Sequence, residues 1–253
     1  MAIRRASPEP PAKPPALAVF ARAPQAGAAK TRLIPALGAA GAARLQRRLT
    51  LHALAVAGGA ALGGVSLWVA PDGRHRFFRA LRRCCAVELR EQCGDHLGAR
   101  MAAAFAAHAG PLLLIGTDCP ALQPAHLEAA ARALSGEAHE HGDGNDAVFI
   151  PAEDGGYVLI GLRRPQPGLF AGIDWGSDQV MVQTRQRLSA LGLRWCELPA
   201  LWDVDRPADL TRLATLPGFA ADNSGIAGIA TAHSRGSKHA AGTCGSRRAA
   251  EGR

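Results

Sequence analysis

Residues Ala16–Arg32 read ALAVFARAPQAGAAKTR. The first six are apolar without a break, and a short apolar run without alternation predicts a strand buried on both faces, as in a parallel sheet. The polar loop that follows carries Gly27 among the cations Arg22, Lys30 and Arg32. Glycine lets backbone amides approach a ligand closely, and amides with Lys and Arg are what a di- or triphosphate needs. Lys30-Thr31 matches the last two residues of a Walker P-loop, but that motif requires Gly directly before Lys, and Gly27 lies three residues earlier. The P-loop is excluded, which leaves a phosphate-binding loop of another kind or a solvated basic turn.

Working outward, short apolar runs alternate with longer amphipathic ones. Val65–Ala70, Pro111–Gly116, Ala147–Pro151, Tyr157–Leu162 and Arg194–Leu198 read as further strands. Ala39–Ala57, Asp95–His108 (with Asp95 as N-cap), Pro124–Leu134, Asp178–Leu191 and Pro207–Leu213 read as helices. This alternation predicts an α/β fold with a mostly parallel sheet covered on both faces. Residues 16–221 form the expected domain. The Pro-rich segment 1–15 and the Gly/Ala/Ser/Arg tail 222–253 hold too few large apolar residues to join a core and are expected to be disordered.

Composition narrows the function classes. The net charge is +8, but the segments 1–15 and 222–253 carry five of those eight charges, and the chain has a single Tyr. A nucleic-acid partner calls for a basic face with stacking groups, so none is expected. Of three lysines, Lys13 and Lys238 lie in the tails, which leaves Lys30 alone in the domain. The six cysteines form no C-x-x-C pair, and no apolar leader follows Arg4 and Arg5; reduced thiols and a cytoplasmic location are expected. The uncharged run Leu49–Ala70 is rich in Gly and Ala and reads as a helix end, a turn and a strand rather than a membrane span.

In parallel sheets ligands bind at the carboxyl ends of the strands, so the loops after Ala21, Gly116, Ile150 and Leu198 are the ones to inspect. The second contains Thr117-Asp118-Cys119-Pro120, where a carboxylate directly after an apolar strand suits Mg²⁺ held with phosphates, or else caps a turn. A second carboxylate must come from elsewhere, with Asp203 and Asp205 in Trp202–Leu210 as candidates. Asp205 alternatively caps the helix at Pro207. The third loop, Glu153-Asp154-Gly155-Gly156-Tyr157, offers a close backbone approach to a polar substrate or makes a plain hairpin turn.

Together the segments FARAPQAGAAKTRL, IGTDCPAL, PAEDGGYVLIGL and LWDVDRPADL, in this order between about Leu17 and Leu213, resemble the rSAM/selenodomain-associated transferase family (transferase 1). Its members have the GT-A fold of nucleotide-diphospho-sugar transferases, a three-layer α/β/α arrangement. The resemblance implies nucleotide binding by the first loop (Arg22, Gly27, Lys30, Thr31, Arg32) and a divalent metal, Mg²⁺ or Mn²⁺, at Asp118; of the two candidate carboxylates, Asp205 is taken as the partner ligand. It also implies a contribution of the Asp154-Gly155-Gly156 segment to the second substrate; we extend that acceptor site to Tyr157 and expect Lys30, Asp118 and Asp154 to be the catalytic groups. Residues 25–29 (QAGAA) and Arg206 depart from the family's usual pattern, where a Val-Pro-Gly-like turn and a Thr are common. Three functions are compatible: glycosyl transfer from a nucleotide-sugar to a small acceptor, nucleotidyl transfer with release of pyrophosphate, and nucleotide binding without turnover. The first is placed ahead, with a nucleotide-sugar or nucleoside triphosphate and a small-molecule acceptor as partners.

Overall fold

A computed structural model describes residues 14–85, 87–135 and 144–219. Residues 1–13 and 220–253, with most of the expected N-terminal segment and all of the basic tail, lie outside the described residues. The elements run β1 (Ala16–Arg22), α1 (Ile34–Gly59), β2 (Val65–Ala70), α2 (Arg76–Cys84), β3 (Glu88–Glu91), α3 (Leu97–Ala106), β4 (Leu112–Ile115), α4 (Pro124–Ser135), β5 (Ala147–Pro151), β6 (Tyr157–Leu162), α5 (Val180–Ala190), β7 (Trp195–Glu197) and α6 (Asp209–Ala214). Among the described residues seven strands form one sheet in the order β3-β2-β1-β4-β6-β5-β7, and only β6 runs against the others.

The unbroken apolar character of β1 follows from its two covered faces. Leu17, Val19 and Ala21 join Leu54 and Val56 of α1, Phe77 and Phe78 of α2, and Leu127 of α4 in one core layer. Ala18 and Phe20 point the other way, into a layer with Met101 and Phe105 of α3, Phe170, and Met181 and Leu188 of α5. A third cluster joins Leu33, Leu45 and Leu49 to Trp202, Val204 and Leu213, so the C-terminal segment is fastened beside the first loop.

The five other expected strands are present, and the expected helices differ mainly at their ends. Helix α3 starts at Leu97, and its cap is His96, whose Nδ1 accepts from the Ala99 amide at 3.3 Å, not Asp95, which is exposed. Helix α6 starts at Asp209 rather than Pro207, and Asp205 does not cap it: the Asp209 carboxylate instead accepts from the amides of Asp205 (2.9 Å) and Arg206 (2.6 Å). The sequence reading lacked α2 and β3. The helix, RFFRALRRC, is mostly arginine outside Phe77, Phe78 and Leu81, and the edge strand ELRE has no apolar run to announce it. Among the described residues no helix is long and apolar enough to cross a membrane; the Leu49–Ala70 run is the end of α1, a turn and β2.

The strand order places a topological switch between β1 and β4, the point where α/β sheets open a crevice for ligands. The loops that leave β1 and β4 meet there. Because β5 and β7 point the same way as β4, their carboxyl ends lie along the same edge, joined by a bridge between Ala152 and Leu201.

Candidate active site

The first loop is a compact turn, not an extended basic strip. The amides of Ala28 and Ala29 donate to the Gln25 carbonyl, and Gly27 takes the left-handed backbone (φ 84°) that the reversal needs. Lys30 also adopts it (φ 48°, ψ 47°), alone among the described non-glycine residues. Such a conformation costs roughly 1–2 kcal/mol outside glycine and persists where surrounding structure enforces it. The enforcement is visible. The Lys30 side chain turns inward, is 4% exposed, and sets Nζ 2.9 Å from Asp118 Oδ1 while donating to the Val204 carbonyl. Thr31 and Arg22 remain exposed, and Arg32 pairs with Asp205 at the surface.

Asp118 follows β4, with its side chain half exposed. Its backbone carbonyl accepts from the Val204 amide at 2.8 Å, which joins the second loop to the Trp202–Asp205 segment. That segment alternates: Trp202 and Val204 are buried, so Asp203 and Asp205 face away from the core. Partial burial and the negative charges of Asp154 and Asp118 push the Asp203 carboxyl up to about 6, against a smaller opposing pull from Lys30. Asp203 thus lies within electrostatic reach of Asp118 and Asp154, while Asp205 pairs with Arg32.

The third loop is the β5–β6 hairpin turn. Asp154 Oδ1 accepts from the Gly156 amide at 3.0 Å, and the Gly155 carbonyl accepts from Met181 N at 2.8 Å. Arg212 grips Glu153 with two bonds, of 2.8 and 3.2 Å, while lying 4.5 Å over the Trp202 ring. Tyr157 packs edge-on against Phe149 and Trp175; its hydroxyl lies 3.7 Å from Met101 Sδ, and burial raises its pKa. Its ring belongs to the α3 and α5 side of the core, while Asp154 is exposed at the strand edge.

Gly155 has no room for a side chain. Its φ is +94°, and a Cβ there would stand 2.1 Å from the Asp178 carbonyl oxygen, whereas at Gly156 the nearest atom, Asp154 Oδ1, would be 3.3 Å away. Gly155→Ala should cost about 3 kcal/mol, a fall in Tm of roughly 6–12 °C for a domain of this size. Gly156→Ala should cost far less. Thermal melts of both variants check this, and equal melting temperatures would show that the turn yields freely.

The family model of the DUF2064 proteins, described as uncharacterized proteins conserved in bacteria, matches residues 50–177. The chain belongs to this family. Within the DUF2064 match fall Asp118 and the Asp154 turn, while Lys30 and the Asp203–Asp205 segment lie outside it. No curated protein matches the sequence. The fold is that of the nucleotide-diphospho-sugar transferases and cytidylyltransferases. A proposed nucleotide-diphospho-sugar transferase from Desulfovibrio desulfuricans is 25% identical, with 88% of this chain and 95% of that chain covered and a TM-score of 0.70. A cytidylyltransferase from Leptospira borgpetersenii is 10% identical over 82% of this chain and 90% of its own, with a TM-score of 0.50. A 4-diphosphocytidyl-2C-methyl-D-erythritol synthase from Anaerococcus prevotii is 9% identical over 77% and 92%, also at 0.50.

In this DUF2064 chain the edge of the sheet thus gathers Lys30, Asp118, Asp154 and Asp203, with Arg32 and Asp205 paired alongside. Among the described residues no three His, Cys, Asp or Glu side chains are close enough to hold a metal ion by themselves. Mg²⁺ ordinarily takes one or two carboxylates and completes its shell with water and substrate phosphates. Burial raises Asp203 most, and the negative charges of Asp154 and Asp118 add to it; a divalent cation would offset both, so the donor set fits such an ion.

The raised Asp203 carboxyl has a pH signature. Between the ordinary aspartate value of 3.8 and about 6, the folded chain keeps a proton on Asp203 that the unfolded chain has lost. Stability therefore falls as pH rises across that window and stays lower above it. Asp203→Asn should flatten this part of the Tm-against-pH curve and raise Tm at pH 7.5. An unchanged slope in the variant would assign the proton to another group.

Proposed function

We propose that the chain is a metal-dependent transferase that uses an activated nucleotide, and that it moves a sugar from a nucleotide-sugar to a small acceptor. The observation that carries this reading is the meeting of Lys30, Asp118 and Asp203 at the switch point between β1 and β4. The likeness to the Desulfovibrio protein, over nearly the whole of that chain, supports it. So do the loop sequences shared with the rSAM/selenodomain-associated transferases, the finer family in which we place the chain.

Asp118 and Asp203 would hold Mg²⁺ or Mn²⁺, which supplies charge neutralisation at the diphosphate when bound. Arg22 and Thr31, both exposed, and the backbone of the Gly27 turn would meet the phosphates from the β1 side. Asp154 has Oδ1 engaged by Gly156, which leaves Oδ2 to accept the proton of an acceptor hydroxyl. Two of the three cations of the first loop are already matched, Lys30 by Asp118 and Arg32 by Asp205. The positive excess at the site is thus modest, which favours a nucleotide-sugar over the more highly charged triphosphate. Nucleotidyl transfer is the second reading, favoured by the absence of an Asp-x-Asp pair after β4.

Incubation of the protein with nucleotide-sugars or nucleoside triphosphates, Mg²⁺ and candidate acceptors separates the readings. Release of nucleoside diphosphate supports glycosyl transfer. Pyrophosphate supports nucleotidyl transfer instead, and tight nucleotide binding with neither product supports a binding module.

A further inference from the structure

Two buried polar side chains lie behind Asp118. Gln46, on α1, and Thr117, the residue before Asp118, are 4% and 5% exposed. Gln46 Nε2 is 3.0 Å from Thr117 Oγ1, and Thr117 Oγ1 is 3.3 Å from Asp118 Oδ1. The direction of these bonds follows from a third group. Thr50 Oγ1 spends its proton on the Gln46 carbonyl at 2.8 Å, so toward the Gln46 side chain it can only accept, and it lies 3.5 Å from Nε2. The amide nitrogen of Gln46 therefore faces both hydroxyls. Thr117 accepts from it, and the hydroxyl proton of Thr117 is left for Asp118 Oδ1.

Oδ1 thus receives two donors, the Thr117 hydroxyl and the Lys30 ammonium at 2.9 Å. We infer that Gln46 and Thr117 are positioning residues that lock the Asp118 carboxylate with Oδ1 facing the protein and Oδ2 presented to the bound cation. Asp118 is then a one-oxygen ligand whose orientation is set from α1. A buried glutamine costs free energy unless its amide is satisfied, and here its satisfaction is coupled to the carboxylate that the proposed reaction needs. Groups that orient a metal ligand change metal affinity by about 10- to 100-fold when removed.

The inference rests on the proposed role of Asp118 as a metal ligand, and the test separates the two. Mn²⁺ binding to the purified chain is followed by electron paramagnetic resonance, without any substrate, in the wild type and in Thr117→Val, Gln46→Leu, the double variant and Asp118→Asn. Thr117→Val keeps the shape and removes the hydroxyl. We expect Thr117→Val to weaken Mn²⁺ by about tenfold and Gln46→Leu by a smaller factor. The double variant should be no weaker than Thr117→Val alone, because both act through one hydrogen-bond path. Asp118→Asn should abolish binding. Thr117→Val binding Mn²⁺ within twofold of the wild type, with Asp118→Asn still inactive in binding, overturns the positioning role and leaves the metal site standing. Wild-type binding by Asp118→Asn overturns the metal assignment itself. If Gln46→Leu proves too unstable to purify, Thr117→Val alone decides the matter.

Discussion

Asp118→Asn should lower turnover by about 10²- to 10³-fold, the loss typical when one preorganised electrostatic contact to the reacting centre is removed. The substitution keeps size and hydrogen-bonding reach but removes the charge, and with it the cation that the proposed site would hold. Two consequences follow from the surroundings. The Lys30 ammonium, 4% exposed, keeps only the Val204 carbonyl as a strong partner, which should destabilise the fold by about 2 kcal/mol. That figure is below the usual cost of breaking a buried pair, because Asp118 itself is half exposed and water can reach the gap. Second, the loss of a negative neighbour should lower the Asp203 pKa from its value of about 6, since Asp118 is one of the charges that raise it. Steady-state assays, thermal melts and carboxyl titration by NMR measure the three effects separately. Turnover within threefold of the wild type would remove Asp118 from the proposed catalytic groups, whatever the stability shows.

Much of this arrangement was legible from local chemistry. An unbroken apolar run such as ALAVFA leaves no polar face to expose, so a doubly covered parallel strand is its natural setting, and β1 lies at the centre of the sheet with neighbours on both sides. The strand-to-loop junctions at Arg22 and Asp118 then follow, because Gly, Pro and charged residues end such runs abruptly. What stayed hidden depends on contacts between distant parts of the chain. Lys30 and Val204 are 174 residues apart, and no local rule says that a lysine in a Gly/Ala turn will point inward. Asp203 and Asp205 are indistinguishable by spacing. Only the packing of Trp202 and Val204 against α1 and the first loop shows that Asp203 faces the other carboxylates while Asp205 meets Arg32. Gln46 was silent for a similar reason: inside an amphipathic helix a lone glutamine reads as a surface residue until its partner, 71 residues away, is known.

The left-handed backbone of Lys30 makes the last expected result a comparison of three variants. Lys30→Ala and Lys30→Gly both remove the ammonium, and both should lose turnover by about 10²- to 10³-fold. They differ in tolerance of φ 48° and in the entropy of the unfolded chain. Glycine adopts that region freely while alanine carries the Cβ penalty, so Lys30→Gly should be more stable than Lys30→Ala by about 1 kcal/mol, although glycine ordinarily destabilises through its larger unfolded-state entropy. That inversion is a direct measure of strain at the turn. Lys30→Arg should not rescue activity, since the longer, planar guanidinium spreads its charge over three nitrogens where Lys30 sets a compact ammonium 2.9 Å from Asp118 Oδ1 in a buried position. If Lys30→Arg is fully active, the site needs only a positive charge in the neighbourhood. If instead Lys30→Ala is the more stable of the small variants, the backbone at residue 30 relaxes once its side chain is gone. The loop is then shaped by the ion pair with Asp118 rather than by the turn itself, and turnover in the glycine variant would report on charge alone.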